Sequence, residues 1–369
     1  MELSRGQIRD RRMMAECLNL ALRGAGKVSP NPMVGAVLAR GDTILARGWH
    51  RVFGGSHAEA ECLRSYAGDC RGATLYVNLE PCSHHGKTPP CADLIIERGV
   101  GRVVAAMRDP NPLVAGRGIA RLRRAGIAVE LGLHRSWAEG INRFYLTGIA
   151  LRRPYVHVKV AQTLDGMIAA RGRSPRRISS PEAIRLVHTW RATHDAVLVG
   201  SGTIRSDDPA FTVRSAGGRD PHVVILGGGL DLPPDARVFR AGTNRRVFVY
   251  ADPAVLRRRK SRARELERQG AEIRPCGGVR SRIPLRDVLR DLYRLGIGSV
   301  LVEGGAEVFS RCVGERVTDE LSLFVAPFTL GPGLPSFSGP FPRKGAGRRN
   351  ARKSVVTTVG RDVLVQARF

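Results

Sequence analysis

At 369 residues with 43% hydrophobic and 25% charged side chains, the chain is long enough for two or three domains with cores of their own, which excludes a small disulfide-held scaffold and a disordered polymer. No apolar run approaches the ~20 residues of a membrane span; the opening MELSRGQIRD lacks an apolar signal core, and seven scattered cysteines do not make a secreted disulfide framework, so the expected compartment is the cytoplasm and no membrane partner is expected. The net charge of +27 invites a nucleic-acid reading, but only six of the 60 basic residues are lysine, as a coding bias toward arginine would also produce. The densest run, Arg257-Arg258-Arg259-Lys260 through Arg268, is interleaved with Leu256, Ala263, Leu266 and glutamates in the manner of the wet side of a surface helix.

In chain order, Ile8 to Leu22 has helical spacing, Met33 to Ala39 and Thr43 to Trp49 read as a strand pair, and His57 to Tyr66 as a helix. Extended stretches at Ala73 to Leu79, Arg102 to Ala106 and Ile127 to Leu131 then alternate with helical ones at Cys91 to Arg98 and Ala115 to Ala125. The spacing predicts a sheet of about five strands with helices on its faces. Arg152-Arg153-Pro154 interrupts any helix running on from Trp137, which sets the expected domains at 1–150 and 151–369. In the second, Tyr155 to Ala161, Ala196 to Gly200, His222 to Leu226, Arg246 to Tyr250, Ser299 to Val302 and Leu321 to Val325 read as buried strands. Helices are predicted at Pro181 to Ala192, Ala254 to Gln269, Leu285 to Leu295 and Ala306 to Gly314, and a closing hairpin at Ser354 to Val359 and Val363 to Phe369. Gly331 to Arg349 reads as a loop.

Two segments carry metal chemistry. His57-Ala58-Glu59 opens a predicted helix, and PCSHHGKTPPC (Pro81 to Cys91) joins a strand to a helix. One imidazole and two thiolates, from His57, Cys82 and Cys91, give a catalytic zinc its three protein ligands and leave one position for water. Water so placed loses a proton near neutral pH, and a carboxylate that is not a ligand can carry protons from it to a leaving amine. Glu59, two residues after the histidine, is the candidate. Cys17, Cys62, Cys70, Cys276 and Cys312 have no such company and are expected to be packing residues or free thiols.

H-A-E followed by P-C…C resembles the zinc nucleoside and nucleobase deaminases, with eight residues rather than two between Cys82 and Cys91. That expanded loop, SPNPMVGAV (Ser29 to Val37), DPNPLVAGRG (Asp109 to Gly118) and the second half together resemble the bifunctional riboflavin-biosynthesis enzymes, which join a diaminohydroxyphosphoribosylaminopyrimidine deaminase to a 5-amino-6-(5-phosphoribosylamino)uracil reductase. The resemblance implies an α/β chain: a cytidine-deaminase-like three-layer α/β/α domain followed by a dihydrofolate-reductase-like α/β domain. It further implies zinc and NADPH as cofactors, a phosphorylated pyrimidine as substrate, and Asn31, His50, His84 and Lys87 lining the deaminase substrate site. A homo-oligomer is expected.

Glycine-bearing corners follow strands at LVGSGT (Leu198 to Thr203), ILGGG (Ile225 to Gly229) and LVEGGAEVF (Leu301 to Phe309), and no G-x-G-x-x-G fingerprint is present, which disfavours a Rossmann domain. The series KVAQTLDG (Lys159 to Gly166), SGT, DDP (Asp207 to Pro209) and VEGG resembles the reductase partner. That resemblance implies cofactor contacts from Ala161, Thr203, Asp207 and the turn Gly305, Ala306, Glu307, Val308, Phe309 and Ser310. It implies substrate contacts from Lys159, Arg191, Arg214 and Glu303. One departure stands out: in Ser174-Pro175-Arg176-Arg177-Ile178-Ser179, arginine occupies the place where the family carries tryptophan. The competing expectations are a deaminase with a degenerate reductase half, a nucleic-acid-editing deaminase, and a zinc-binding protein without catalysis.

Overall fold

The computed structural model describes residues 4–83, 89–112, 114–170, 177–240, 245–277, 283–338 and 347–369. Ser4 starts the first helix with a reciprocal cap: its Oγ accepts from the Gln7 N–H, and the Gln7 side chain accepts from the Ser4 N–H, satisfying two donors that a helix start otherwise leaves free. The elements that follow divide into two units, Met1–Arg152 and Arg153–Phe369.

In the first unit the order is α1 (Arg5–Leu22), β1 (Gly35–Arg40), β2 (Thr43–Trp49), α2 (Ala58–Arg64), β3 (Thr74–Val77), α3 (Cys91–Glu97), β4 (Arg102–Ala105), α4 (Arg117–Arg124), β5 (Ala128–Leu131), α5 (Arg135–Ile141) and α6 (Arg143–Leu151). The sheet order is β2-β1-β3-β4-β5, with β1 antiparallel to both neighbours and β3, β4 and β5 parallel. Two glycines reveal the layers. A Cβ on Gly35 would lie 2.1 Å from the Cys17 carbonyl oxygen of α1, and one on Gly48 would lie 2.4 Å from the Ala58 oxygen and Cys62 nitrogen of α2. Gly48 pairs with Ala36, the neighbour of Gly35, so the two glycines face opposite sides of the sheet. Helices α1 and α2 therefore press on opposite faces, giving the three-layer α/β/α arrangement.

The second unit runs β6 (Tyr155–Thr163), β7 (Met167–Ala170), α7 (Pro181–Thr193), β8 (Ala196–Gly200), α8 (Ser201–Asp207), β9 (His222–Leu226), α9 (Arg237–Arg240), β10 (Val247–Ala251), α10 (Pro253–Arg258), α11 (Lys260–Arg268), β11 (Ala271–Pro275), α12 (Leu285–Arg294), β12 (Ser299–Gly304), α13 (Ala306–Gly314), β13 (Glu320–Ala326), β14 (Gly333–Pro335), β15 (Lys353–Val359) and β16 (Asp362–Arg368). Nine strands form one sheet, β11-β10-β9-β8-β12-β6-β13-β16-β15, and the strands from β11 to β13 are parallel. Both faces are covered, as a parallel sheet requires. Leu198, Val224, Phe248 and Val300 join a core with α12 and α13, while their strand neighbours Val197, Val199, Val223, Ile225 and Val249 join another with Leu266 of α11.

The helix expected from Ala254 to Gln269 is two helices. Arg259 leaves helical geometry (φ −115°, ψ 44°) and its guanidinium holds the Gly229 carbonyl, 3.0 Å away, and the Asp231 carboxylate. Strand β11 leaves little trace in the sequence: Ala271 and Ile273 alternate with Glu272 and Arg274, but the run is only five residues long, ends at Pro275 and buries Ala271 alone. No helix among the described residues is long and apolar enough to cross a membrane.

Candidate active site

Three donors that are distant in sequence converge in the first unit. His57 is the extended residue that caps α2, Cys91 is the first residue of α3, and Cys82 lies in the segment after β3. His57 Nδ1 is 3.5 Å from Cys82 Sγ and 3.3 Å from Cys91 Sγ, and all three donor atoms fall within 4.8 Å of one another. Tetrahedral zinc with ordinary Zn–N and Zn–S bonds separates such atoms by about 3.6 Å, so the residues fit zinc. The Cys91 N–H at the start of α3 donates to Cys82 Sγ over 3.3 Å, the kind of contact that favours thiolate. The Cys82 thiol is held well below its ordinary value by the Cys91 side chain and then by His57, against burial. The bond with Cys82 in turn raises the His57 imidazole.

Glu59 sits on the first turn of α2, only 4% exposed. Burial, followed by the neighbouring Cys82, pushes its carboxyl up to about 7, a value at which it can both take and return a proton. Glu59 shares the wall of a cavity of ≈ 190 Å³ with two of the three donors, His57 and Cys82. Asn31 and His50 line it as well. Asn31 closes a turn through its backbone N–H, which donates to the Val28 carbonyl at 2.9 Å. Its Nδ2 donates to His50 Nε2 at 3.2 Å, while His50 Nδ1 donates to the Ser56 carbonyl at 2.9 Å. This pattern fits a neutral ring, and burial followed by His57 lowers the His50 pKa, opposed by the Ser56 bond. His84 and Lys87 lie outside the described residues.

Glu80, Asp109, Asn111, Val114 and Tyr145 also line this cavity, and residue-by-residue reading missed them. The DPNP segment was visible as a motif, and its two polar residues, Asp109 and Asn111, were the available signal. Tyr145 comes from α6, where sequence gave no functional cue; its hydroxyl donates to Asp109 Oδ1 at 2.7 Å.

In the second unit, Lys159 on β6, Arg191 on α7 and Glu303 at the end of β12 form one cluster. The guanidinium of Arg191 grips Glu303 through two bonds of 2.6 and 2.7 Å, with side chains only 13% and 6% exposed. It also donates to the Thr212 carbonyl and lies 5.5 Å from the Phe211 ring. Burial works against the Glu303 charge, but Arg191 and then Lys159 hold the carboxyl below its ordinary value. Burial lowers the Lys159 ammonium, opposed by Glu303. Arg214 reaches solvent, and its backbone N–H donates to His188 Nδ1 at 2.9 Å.

Thr203 lies on α8 against the corner where β12 ends; a Cβ on Gly304 would be 2.9 Å from its Oγ1. Asp207 is the exposed last residue of that helix, and Asp208 forms the turn. Gly305 caps α13, leaving first-turn N–H groups of Ala306, Glu307 and Val308 without helical partners. The side chains of Val308 and Phe309 are in the core and Ser310 is buried, so this turn has its backbone to offer. Ala161 is half-buried in β6. Arg177, Ser179, Arg185, Ser215 and Arg361 line a separate cavity of ≈ 460 Å³; sequence gave no signal for Arg185 and Arg361, which α7 and the terminal hairpin bring there.

Comparison with known proteins covers both units. Residues 7–107 match the cytidine and deoxycytidylate deaminase zinc-binding region, and residues 154–365 match the RibD C-terminal domain. The chain is 41% identical over 333 residues to the riboflavin biosynthesis protein RibD of Bacillus amyloliquefaciens, covering 88% of each, and 37% identical over 329 residues to that of Escherichia coli, covering 88% of this chain and 89% of the other. Among solved structures, it resembles a diaminohydroxyphosphoribosylaminopyrimidine deaminase/5-amino-6-(5-phosphoribosylamino)uracil reductase from Thermotoga maritima, with a TM-score of 0.85, 36% identity, and 98% and 99% of the two chains covered. Acinetobacter baumannii RibD gives the same TM-score at 33% identity, with 98% and 99% covered.

Proposed function

The chain belongs to the RibD family of riboflavin-biosynthesis proteins, a bifunctional deaminase and reductase, and from that premise we propose which of its residues carry each reaction. The deaminase reaction is assigned to residues 1–150 and the reduction to residues 151–369. The substrate is the 2,5-diamino-6-(5-phosphoribosylamino)pyrimidin-4-one; hydrolysis replaces its 2-amino group by oxygen, and reduction then turns the ribosyl group into ribityl.

His57, Cys82 and Cys91 hold zinc, which when bound supplies the Lewis acidity that makes water a nucleophile near neutral pH. Glu59 takes the proton from the attacking water and returns it to the exocyclic nitrogen as the C2–N bond breaks and ammonia leaves. A buried carboxyl pushed to about 7 suits both transfers. Asn31, His50, Asp109 and Asn111 orient the pyrimidine, and the family resemblance adds His84 and Lys87.

In the reductase half, NADPH supplies hydride to C1′ of the opened ribose. Its contacts are Thr203, Asp207, Ala161 and the backbone from Gly305 to Ser310, where first-turn N–H groups of α13 suit a pyrophosphate. Lys159 and the Arg191–Glu303 pair face the ribose. Because Arg191 is committed to Glu303, the phosphate falls to exposed arginines: Arg214 and the cavity bearing Arg177 and Arg361. The intact Arg191–Glu303–Lys159 cluster argues against a degenerate reductase, despite arginine at position 177.

A cytoplasmic location agrees with seven cysteines of which none is paired in a disulfide. A homo-oligomer agrees with the long exposed edge strand β15, where Val356 is 65% exposed. The partner is a small phosphorylated pyrimidine, with no nucleic acid. The convergence of His57, Cys82 and Cys91 beside Glu59 carries the reading. Its test supplies purified protein with the diaminopyrimidine phosphoriboside, following ammonia release and NADPH absorbance separately. Ammonia should appear without NADPH and NADPH oxidation only after it; no ammonia overturns the assignment.

A further inference from the structure

Glu80 is a buried carboxylate, 3% exposed, with no charge partner among its described contacts. Among the described residues, four groups reach its side chain, and all four are backbone N–H donors. Oε2 accepts from Asp109 at 3.3 Å and Gly116 at 2.9 Å, and Oε1 accepts from Gly118 at 3.1 Å and Ile119 at 3.2 Å. Gly118 and Ile119 open α4, whose cap, Gly116, has no side chain to satisfy them. The carboxylate of a residue far away in sequence thus does the capping.

The contact is close on the other side as well. A Cβ on Gly118 would lie 1.9 Å from the Pro81 carbonyl oxygen, so the start of α4 rests directly on the peptide leading to Cys82. Between the ends of this staple runs the segment from Asp109 to Gly118, which supplies Asp109, Asn111 and Val114 to the cavity wall. One side chain therefore joins the strand-to-cysteine segment to the wall facing it.

We propose that Glu80 is a positioning residue of the deamination site: by gathering the Asp109, Gly116, Gly118 and Ile119 amides it fixes the wall that receives the pyrimidine against the segment bearing Cys82. This rests on the deaminase assignment of the same cavity. On that assignment Asp109 and Asn111 orient the ring and carry no proton, so loosening the wall should weaken binding of substrate first.

The test uses the full-length zinc-loaded chain. Glu80→Gln keeps the shape but replaces one acceptor oxygen by an amide that confronts N–H donors. It should retain wild-type zinc content and wild-type NADPH oxidation on the deaminated substrate. Deaminase kcat/KM should fall about 10- to 100-fold, mostly through KM, with faster hydrogen exchange across 109–119. Gly118→Ala, which opens the same seam without touching the carboxylate, should raise KM in the same direction. An unchanged KM in both variants at full zinc, or a loss confined to kcat, overturns the proposal. Should neither variant fold, fast exchange of the Gly116, Gly118 and Ile119 amides in the wild type overturns it, and slow exchange supports it. Ammonia release by the wild type separates the two readings: without it the deaminase assignment fails, and with it only the role of Glu80 is at stake.

Discussion

Replacing Glu303 by glutamine probes the reductase cluster through a single charge. The wild-type pair makes two short bonds at 2.6 and 2.7 Å in surroundings where Arg191 is 13% and Glu303 6% exposed. Breaking a buried pair costs about 3–5 kcal/mol, because the remaining ion has no water to turn to. The amide keeps one acceptor, and the Phe211 ring and Thr212 carbonyl still face Arg191, so the lower end, about 3 kcal/mol, applies. For a unit spanning Arg153–Phe369, that is a midpoint lowered by roughly 6–12 °C. The difference depends on pH with a definite sign. Glu303 lies below its ordinary 4.5 when folded, so its contribution is present above about pH 4.5 and lost as pH falls through the depressed folded value. Calorimetry of wild type and variant at pH 7 and again below pH 4.5 should therefore show a gap that narrows in acid. Lys159 also loses the attraction that opposes its burial, and reductase kcat/KM should fall by about 10² or more, while ammonia release, assigned to the other unit, should be unchanged. Equal midpoints and equal NADPH oxidation would show that the pair neither supports the fold nor serves the site.

Glu59→Gln should keep zinc by elemental analysis and lose deamination by about 10² or more while leaving NADPH oxidation on deaminated substrate intact; retained ammonia release contradicts the proton-carrier assignment. Arg361→Ala should raise KM for the phosphorylated reductase substrate about tenfold, the scale of one charge-assisted contact, with KM for NADPH unchanged; equal KM values for the substrate remove that cavity from phosphate binding. Asp10→Asn, which weakens bonds of 2.6 Å from both the Tyr76 hydroxyl and Arg102, should destabilise the first unit by about 2 kcal/mol in denaturant titration; an unshifted midpoint contradicts it.

Strands buried on both faces were legible as continuous apolar runs: Ala196–Gly200 and His222–Leu226 fall at the bounds read from sequence, as does helix Ala306–Gly314. Local pattern fails where another segment decides. The break between α5 and α6 is at Asn142, whose side chain accepts from the Met33 N–H and donates to the Met33 carbonyl, 109 positions away along the chain. The donor triad could be read because each residue type is unusual for its place. Glu80 could not, since its partners are backbone amides that any sequence carries, and only the folded chain shows four of them aimed at one carboxylate.

X-ray absorption at the zinc edge of the purified protein tests the central claim most directly. The account predicts one zinc per chain with two sulfur neighbours near ~2.3 Å and two nitrogen or oxygen neighbours near ~2.0–2.1 Å, and loss of a sulfur neighbour in Cys91→Ser. A zinc shell without sulfur, or one unchanged by that substitution, would contradict it.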